Sequence, residues 1–400
     1  MLSSRLSPAP LSPAQAEVVK ATLPLVGGAI GEITPIFYRR LFAAHPELER
    51  DLFNRGNQAN GSQQKALAGS VAMYATLLVD PDAPGADVIE RIAHKHASLG
   101  VAPEQYPVVY EHLFAAIVEV LGADVVTADV AEAWTAVYWS MADTLIGRER
   151  ELYEAAGTSP ERVWMPVKVV ERVQQSPLTV AFGLAAVDGG ELPDFAPGQY
   201  ISVAVQLPDG ARQIRQYSLS HAGADDRWRI SVRREGAVSS YLHEYVFEGD
   251  VLQVSHPFGD ITLDSPADTP LLLISAGIGI TPVLGMLYFI AAEQPGRPVT
   301  VVHCDRTRAS HAHRAELADL VEQIPGATLH TWYDGLPEGY PLTEPDRSGR
   351  IDLSAIDFPV ETNVYICGPA AFMEEAVRQL GAIGVPRERI WFEAFSPLAA

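Results

Sequence analysis

Four consecutive residues, Arg215-Gln216-Tyr217-Ser218, bring a cation, an aromatic face and a small hydroxyl into one short stretch of chain. A cation suits a phosphate, an aromatic face suits a planar ring, and a small donor suits the place where a hydride arrives. A second group, Gly277-Ile278-Gly279-Ile280-Thr281-Pro282, follows one apolar run and opens another. Glycines let backbone approach a phosphate, and a helix N-terminus favours the anion. Many tight strand-to-helix turns without a ligand have the same pattern. Cys367-Gly368-Pro369 follows the apolar residues 364–366, and a lone cysteine there is ordinarily buried and inert. The first third of the chain holds His45, His94, His96 and His112. A haem needs an imidazole on the apolar face of a helix. His96 shares a helical face with Ile89, Ile92 and Leu99, whereas His94 points elsewhere, His45 precedes a proline and His112 follows Glu111. A histidine satisfied within a core has the same spacing, and periodicity does not choose between the two.

The elements that must carry these residues change character along the chain. Ser12-Pro13-Ala14-Gln15 is a capping-box start with proline at the first helical position. Helical periodicity then recurs through 18–30, 33–42, 62–78, 88–99, 104–121 and 130–153. Residues 156–160 read as a linker. Beyond it come short alternating strands at 166–173, 178–185, 199–206, 228–233 and 251–254, the pattern of a small antiparallel barrel. The Arg-x-Tyr-Ser group is placed at the end of the strand pattern 200–205. From about residue 270 apolar runs alternate with helix-length segments, as in a parallel sheet with crossover helices. The expected organisation is multidomain: all-α over 1–155, an antiparallel β-barrel over 160–265 and an α/β parallel-sheet domain over 266–400.

With 48 % hydrophobic and 20 % charged residues, the 400-residue chain has ample material for such cores. Its net charge of -21 repels nucleic acid and anionic membranes. Residues 271–292 form an uncharged run of 22, long enough for a bilayer helix. The glycine pair and Pro282 interrupt it, so a buried strand, a turn and a buried helix are expected instead. Two cysteines, Cys304 and Cys367, offer no disulfide framework, and residues 1–10 lack a signal-peptide pattern. A cytoplasmic monomer is the expectation.

Arg215-Gln216-Tyr217-Ser218 resembles the flavin-binding motif of the ferredoxin-reductase-like flavoproteins. Pro197-Gly198-Gln199-Tyr200 resembles the motif whose tyrosine also meets the flavin. The segment 236–242, with Gly236, Val238 and Ser239, resembles the pyrophosphate loop, and the two glycine-containing turns resemble the nicotinamide-nucleotide site. The first third is similar to a bacterial globin, and the whole chain to a flavohaemoglobin. The matching residues, in order, are 37–42, Pro46-Glu47-Leu48, Phe53-Asn54, Asn57-Gln58, Asn60-Gly61 and Gln63, then Lys95-His96, 103–106, Arg148-Glu149 and Tyr153.

This resemblance implies FAD, haem b (iron) and NAD(P)H as cofactors. It implies His96 as the iron ligand, with Tyr106 and Glu149 hydrogen-bonded to it, Tyr38 and Gln63 on the distal side, Phe53 against the porphyrin and Lys95 near the haem–flavin boundary. Arg215 would pair with flavin phosphate, Tyr217 would lie against the isoalloxazine, and Ser218 would approach N5. The implied activity is nitric oxide dioxygenase: NAD(P)H reduces FAD, FAD passes single electrons to the haem, and nitric oxide and O2 become nitrate. A flavin, ferric or quinone reductase with a minor haem role, and a haem-based O2 or nitric oxide sensor, remain open. Two departures bear on hydride transfer. The family's usual Glu-Cys-Phe-Gly-Pro reads Glu393-Ala394-Phe395-Ser396-Pro397 here, and Ile280 stands where the family often has glutamine.

Overall fold

The computed structural model describes residues 10–51, 53, 62–80, 83, 85–222, 227–263, 265–336, 339, 341–342, 345–393 and 395. Among the described residues, six helices come first: α1 (Pro13–Ala44), α2 (Pro46–Asp51), α3 (Ser62–Val79), α4 (Ala86–Leu99), α5 (Gln105–Leu121) and α6 (Ala128–Ala155). The capping box at α1 is formed as expected. Gln15 N donates to Ser12 Oγ at 3.3 Å, and Ser12 N donates to Gln15 Oε1 at 3.0 Å. The stretches 18–30 and 33–42 are one helix rather than two. Val19, Val26, Ile33, Phe37 and Leu41 lie seven or four residues apart, so one continuous stripe packs against α3, α5 and α6 despite Pro24 and Pro35.

A closed six-stranded barrel follows, in the order β1-β2-β5-β4-β3-β6. Its strands are β1 (Trp164–Ser176), β2 (Thr179–Ala186), β3 (Tyr200–Gln206), β4 (Arg212–Ala222), β5 (Trp228–Arg233) and β6 (Val251–Ser255), with α7 (Ala237–Tyr245) between the last two. Two local expectations are corrected. Arg215-Gln216-Tyr217-Ser218 lies inside β4, a strand of its own, and not at the end of β3. Polar residues at Arg212, Gln213, Arg215 and Gln216 disguise β4's alternation. Residues 237–242, read as a loop, are the first turns of α7, with Gly236 as N-cap.

The last part is a parallel sheet in the order β10-β9-β8-β7-β11-β12. It comprises β7 (Leu271–Ala276), β8 (Val299–Asp305), β9 (Ala327–Tyr333), β10 (Asp346–Ser348), β11 (Asn363–Cys367) and β12 (Ile390–Glu393), with crossover helices α8 (Ile280–Glu293), α9 (Arg314–Gln323) and α10 (Ala370–Ile383). The uncharged run is strand, turn and helix, and among the described residues no helix is long and apolar enough to cross a membrane. By internal packing, Met1–Met165 form one compact unit with Ala204–Arg215, while Pro166–Val203 and Gln216–Ser396 form the other.

The chain leaves β7 toward β8 on one side, and β11 fills the other, so strand order reverses between β7 and β11. Ligands of open α/β sheets bind at the carboxyl ends of strands beside such a switch point. Gly277 (φ 54°) takes the left-handed conformation there. Gly279 is required by contact: a Cβ on it would lie 2.3 Å from the Cys367 carbonyl oxygen. Gly279→Ala should therefore force the two turns apart and destabilise this part by about 1–3 kcal/mol. An unchanged urea midpoint for that variant would contradict the close approach.

Candidate functional site

Three helices converge on one carboxylate. His96 lies on α4, Tyr106 in the first turn of α5, and Glu149 on α6. The Tyr106 hydroxyl donates to Glu149 Oε1 at 2.6 Å, His96 Nδ1 lies 2.7 Å from the same oxygen, and Nδ1 and the tyrosine hydroxyl are 3.1 Å apart. Glu149 is 2 % exposed. A carboxylate only accepts, so the proton between it and the imidazole belongs to Nδ1. That tautomer leaves the Nε2 lone pair for a metal, and a carboxylate on the far nitrogen makes the ligand more basic. Burial, then the Glu149 charge, pushes the Tyr106 hydroxyl far above the ordinary tyrosine range, so it stays a donor.

The expected apolar face is divided. Ile89 is buried with Ala93 and Ala97, whereas Ile92, His96 and Leu99 are half-buried. A flat apolar group carrying a metal fits that half-covered face with an imidazole on it, so the residues present suit a haem. Tyr38 is buried, its ring 4.7, 5.5 and 5.7 Å from those of Phe37, Phe42 and Phe53. Phe53 is held through its carbonyl, which accepts from Gln213 Nε2 at 3.3 Å, and Gln213 also donates to the Arg50 carbonyl at 3.1 Å. Lys95 is half-buried on α4. Gln63 falls at the start of α3, and its side chain is outside those described.

The run Arg148-Glu149-Arg150-Glu151 has the composition of a solvated face, yet Glu149 is buried and Arg148 reaches back to α4. Arg148 Nε donates to Glu90 at 3.0 and 2.8 Å, and Nη2 donates to Glu90 Oε1 at 2.5 Å. His94, as expected, points away from His96 and meets Glu90 at 3.2 Å. Glu90 was not singled out from sequence. Its only signal was His94 four residues on.

Ser218 is buried on β4, Gln216 Nε2 donates to Ser202 Oγ at 2.9 Å, and Arg215 Nη1 donates to the Ile214 carbonyl at 2.7 Å. Tyr200 is buried at the start of β3, locked to Phe258 by backbone bonds of 2.8 and 2.9 Å. Ser239 Oγ accepts from Glu235 N and Gly236 N, both at 2.9 Å, and so shapes the start of α7, beside the buried Val238. The amide-rich start of α7 is of the kind that suits a phosphate.

On the nucleotide side, Ile278 lies between the glycines, Thr281 Oγ1 donates to its carbonyl at 3.1 Å, and Pro282 sits in the first turn of α8. Ile280 is fully buried among Leu273, Val283 and Leu284, so its side chain belongs to the core. Gly368 adjoins Ala276, and Pro369 caps α10. Burial, then the charge of Glu393, raises the Cys367 thiol well above its usual range, so it is a neutral packing group here. Glu393 ends β12, and Phe395 is exposed. Ala394, Ser396 and Pro397 lie outside the described residues. Gly279 and Cys367 are thus brought together, as are His96, Tyr106 and Glu149, and Tyr38 with Phe53.

A second, half-buried carboxylate, which sequence reasoning missed, ties β5 to α8 and α9. Glu316 Oε1 accepts from Arg229 at 2.5 Å and Tyr288 at 2.6 Å, and Oε2 accepts from His313 Nδ1 at 2.6 Å. Burial acts to raise Glu316, but the His313 hydrogen bond and the Arg229 charge hold it at about 2.

Two family models match: Globin over residues 36–145 and Oxidoreductase NAD-binding domain over 273–379. The flavohemoprotein of Bordetella pertussis is 43 % identical over 398 residues, covering 96 % of this chain and 98 % of that one. The chain belongs to the flavohemoprotein family. The flavohemoglobin of Malassezia yamatoensis, solved with bound FAD and heme, superposes with a TM-score of 0.89 at 34 % identity, covering 97 % of this chain and all of that one. The flavohem-like FAD/NAD-binding domain of nitric oxide dioxygenase from Vibrio cholerae is 36 % identical, with a TM-score of 0.55, over 58 % of this chain and 99 % of that one.

Glu316 supplies a pH dependence. A carboxylate held below its unfolded value stabilises the fold above that value, and the stability is lost as pH falls through the folded value. The window runs from 4.5 down to about 2. In that window the melting temperature of the wild type should fall more steeply than that of Glu316→Gln, which starts lower at neutral pH. Equal slopes would remove Glu316 from the account.

Proposed function

We propose that this chain is a nitric oxide dioxygenase that oxidises nitric oxide to nitrate with O2, drawing electrons from NAD(P)H. The observation that carries this reading is the shared oxygen of Glu149, 2.7 Å from His96 Nδ1 and 2.6 Å from the Tyr106 hydroxyl. A storage globin has no need of so donating a proximal imidazole, whereas oxygen activation does. The family, and the Vibrio cholerae domain's origin in a nitric oxide dioxygenase, support the same reaction. The partners are small molecules, O2 and nitric oxide. The division 1–155, 160–265 and 266–400 for haem, FAD and nucleotide is part of this reading, as is a cytoplasmic setting for Cys304 and Cys367, both free thiols.

When bound, NAD(P)H, FAD and haem b supply hydride donation, release of electrons one at a time, and oxygen activation. The chain's residues provide the setting. His96 would hold the iron through Nε2, while Glu149, itself held by the Tyr106 hydroxyl, keeps the proton on Nδ1. Phe53 would pack on the porphyrin, Tyr38 and Gln63 would offer a hydroxyl and an amide to bound oxygen, and Lys95 would lie near the haem–flavin boundary. Arg215 would pair with flavin phosphate and the start of α7 would offer backbone amides to a phosphate, Tyr200 and Tyr217 would meet the ring, and Ser218 would approach N5. The turns 277–282 and 367–369, with the end of β12, would hold the nucleotide.

The direct test is NADH-driven nitric oxide consumption in air with nitrate yield; flavin-only absorbance with no nitrate would defeat the proposal. His96→Ala should abolish the haem Soret band and keep the flavin absorbance, and a persistent Soret band would refute the ligand role. Tyr38→Phe removes one hydrogen bond and should speed oxygen loss from the ferrous protein about tenfold or more. An unchanged off-rate would exclude Tyr38 from the distal side.

A further inference from the structure

The His96–Glu149 hydrogen bond joins two helices, so its quality depends on how α4 and α6 are held. Glu90 and Arg148 form a further polar tie across the same pair. Arg148 immediately precedes Glu149 on α6, and Glu90 lies six residues before His96 on α4. The guanidinium grips the Glu90 carboxylate through Nε and Nη2, at 2.5 to 3.0 Å, and both side chains are largely buried, 14 % and 16 % exposed. Nη1 is anchored in turn on Glu151 at 2.9 Å, and Glu90 Oε1 also meets His94 Nε2 at 3.2 Å. A two-pronged arginine–carboxylate contact fixes orientation as well as distance, which a lysine does not. Successive helical residues project about 100° apart. Arg148 and Glu149 therefore hold α4 along two different directions, and α6 can neither roll nor slide without breaking one of them.

We propose that the Glu90–Arg148 pair is a positioning device that holds Glu149 against His96 Nδ1 and so sets how strongly His96 donates to the haem iron. It rests on the reading of His96 as that ligand. The test uses the full-length holoprotein with two readouts: the iron–histidine stretch of the ferrous form by resonance Raman, and the haem midpoint potential. The variants are Glu149→Gln, Glu90→Gln, Arg148→Lys and the double variant Glu90→Gln/Glu149→Gln.

Glu149→Gln should lower the stretch and weaken the preference for ferric haem about tenfold, a rise of about 59 mV for one electron. Glu90→Gln should move both readouts the same way by a smaller amount. Arg148→Lys, which keeps the charge and loses the fork, should do likewise. Because Glu90 acts through Glu149, Glu90→Gln should add nothing in the Glu149→Gln background. Shifts from Glu149→Gln alone, with none from Glu90→Gln or Arg148→Lys, would overturn the positioning role. Additive shifts in the double variant would overturn it too. If Glu149→Gln leaves both readouts unmoved, Glu149 does not tune the imidazole and the proposal falls, whereas a Soret band that persists in His96→Ala would instead sink the ligand reading beneath it.

Discussion

A carboxylate taken out of water must be met by donors or give up its charge. Glu149 is met by two donors on one oxygen, and they come from different helices. That requirement gathers α4, α5 and α6 to a single point and fixes their mutual approach. Other contacts then brace the same point: Tyr138 donates to the Tyr106 carbonyl at 2.7 Å, and Tyr153 donates to the Val101 carbonyl at 3.0 Å. The packing of the helices and the tautomer of His96 are therefore consequences of one desolvated group.

The nucleotide side obeys the same constraint with different partners. Glu316 collects donors from β5, α8 and α9 and ties two kinds of sheet together through one carboxylate. The turns at 277–282 and 367–369 are governed by steric exclusion instead. With the Cys367 carbonyl where it is, Gly279 has no room for any side chain. Ile280, a departure from the family's glutamine, turns inward and fills the core, so the turn keeps its backbone shape without the lost amide.

Local chemistry was legible in the sequence wherever neighbours along the chain are neighbours in space. The Ser12–Gln15 cap, the strand-turn-helix at 271–293 and most barrel strands fall in this class. Elements whose pattern is carried by polar residues were missed: β4, with Gln213 and Ser220 buried, and β10, only Asp346–Ser348. The charged run at 148–151 shows the limit best. Its composition describes a wet surface, and partners 43, 53 and 58 residues away, Tyr106, His96 and Glu90, make Glu149 and Arg148 interior. Periodicity placed His96 on a helix face but could not see the carboxylate that orients it. For that, the family resemblance was needed, and the roles of Gln63 and residues 394–397 still rest on it.

The compact unit that contains the helices is not continuous in the chain. It includes Ala204–Arg215, where Gln213 binds the Arg50 and Phe53 carbonyls and the Arg212 guanidinium lies 4.3 Å over the Trp164 ring. On the ribosome a domain usually completes itself as its own segment emerges. Here the helices can form early, but the wall bearing Phe53 waits until residue 213 has left the exit tunnel, some sixty residues after the last helix ends. The order of synthesis thus makes the barrel hairpin a late structural component of the helical unit, and a single cut at the 156–160 linker cannot release that unit whole.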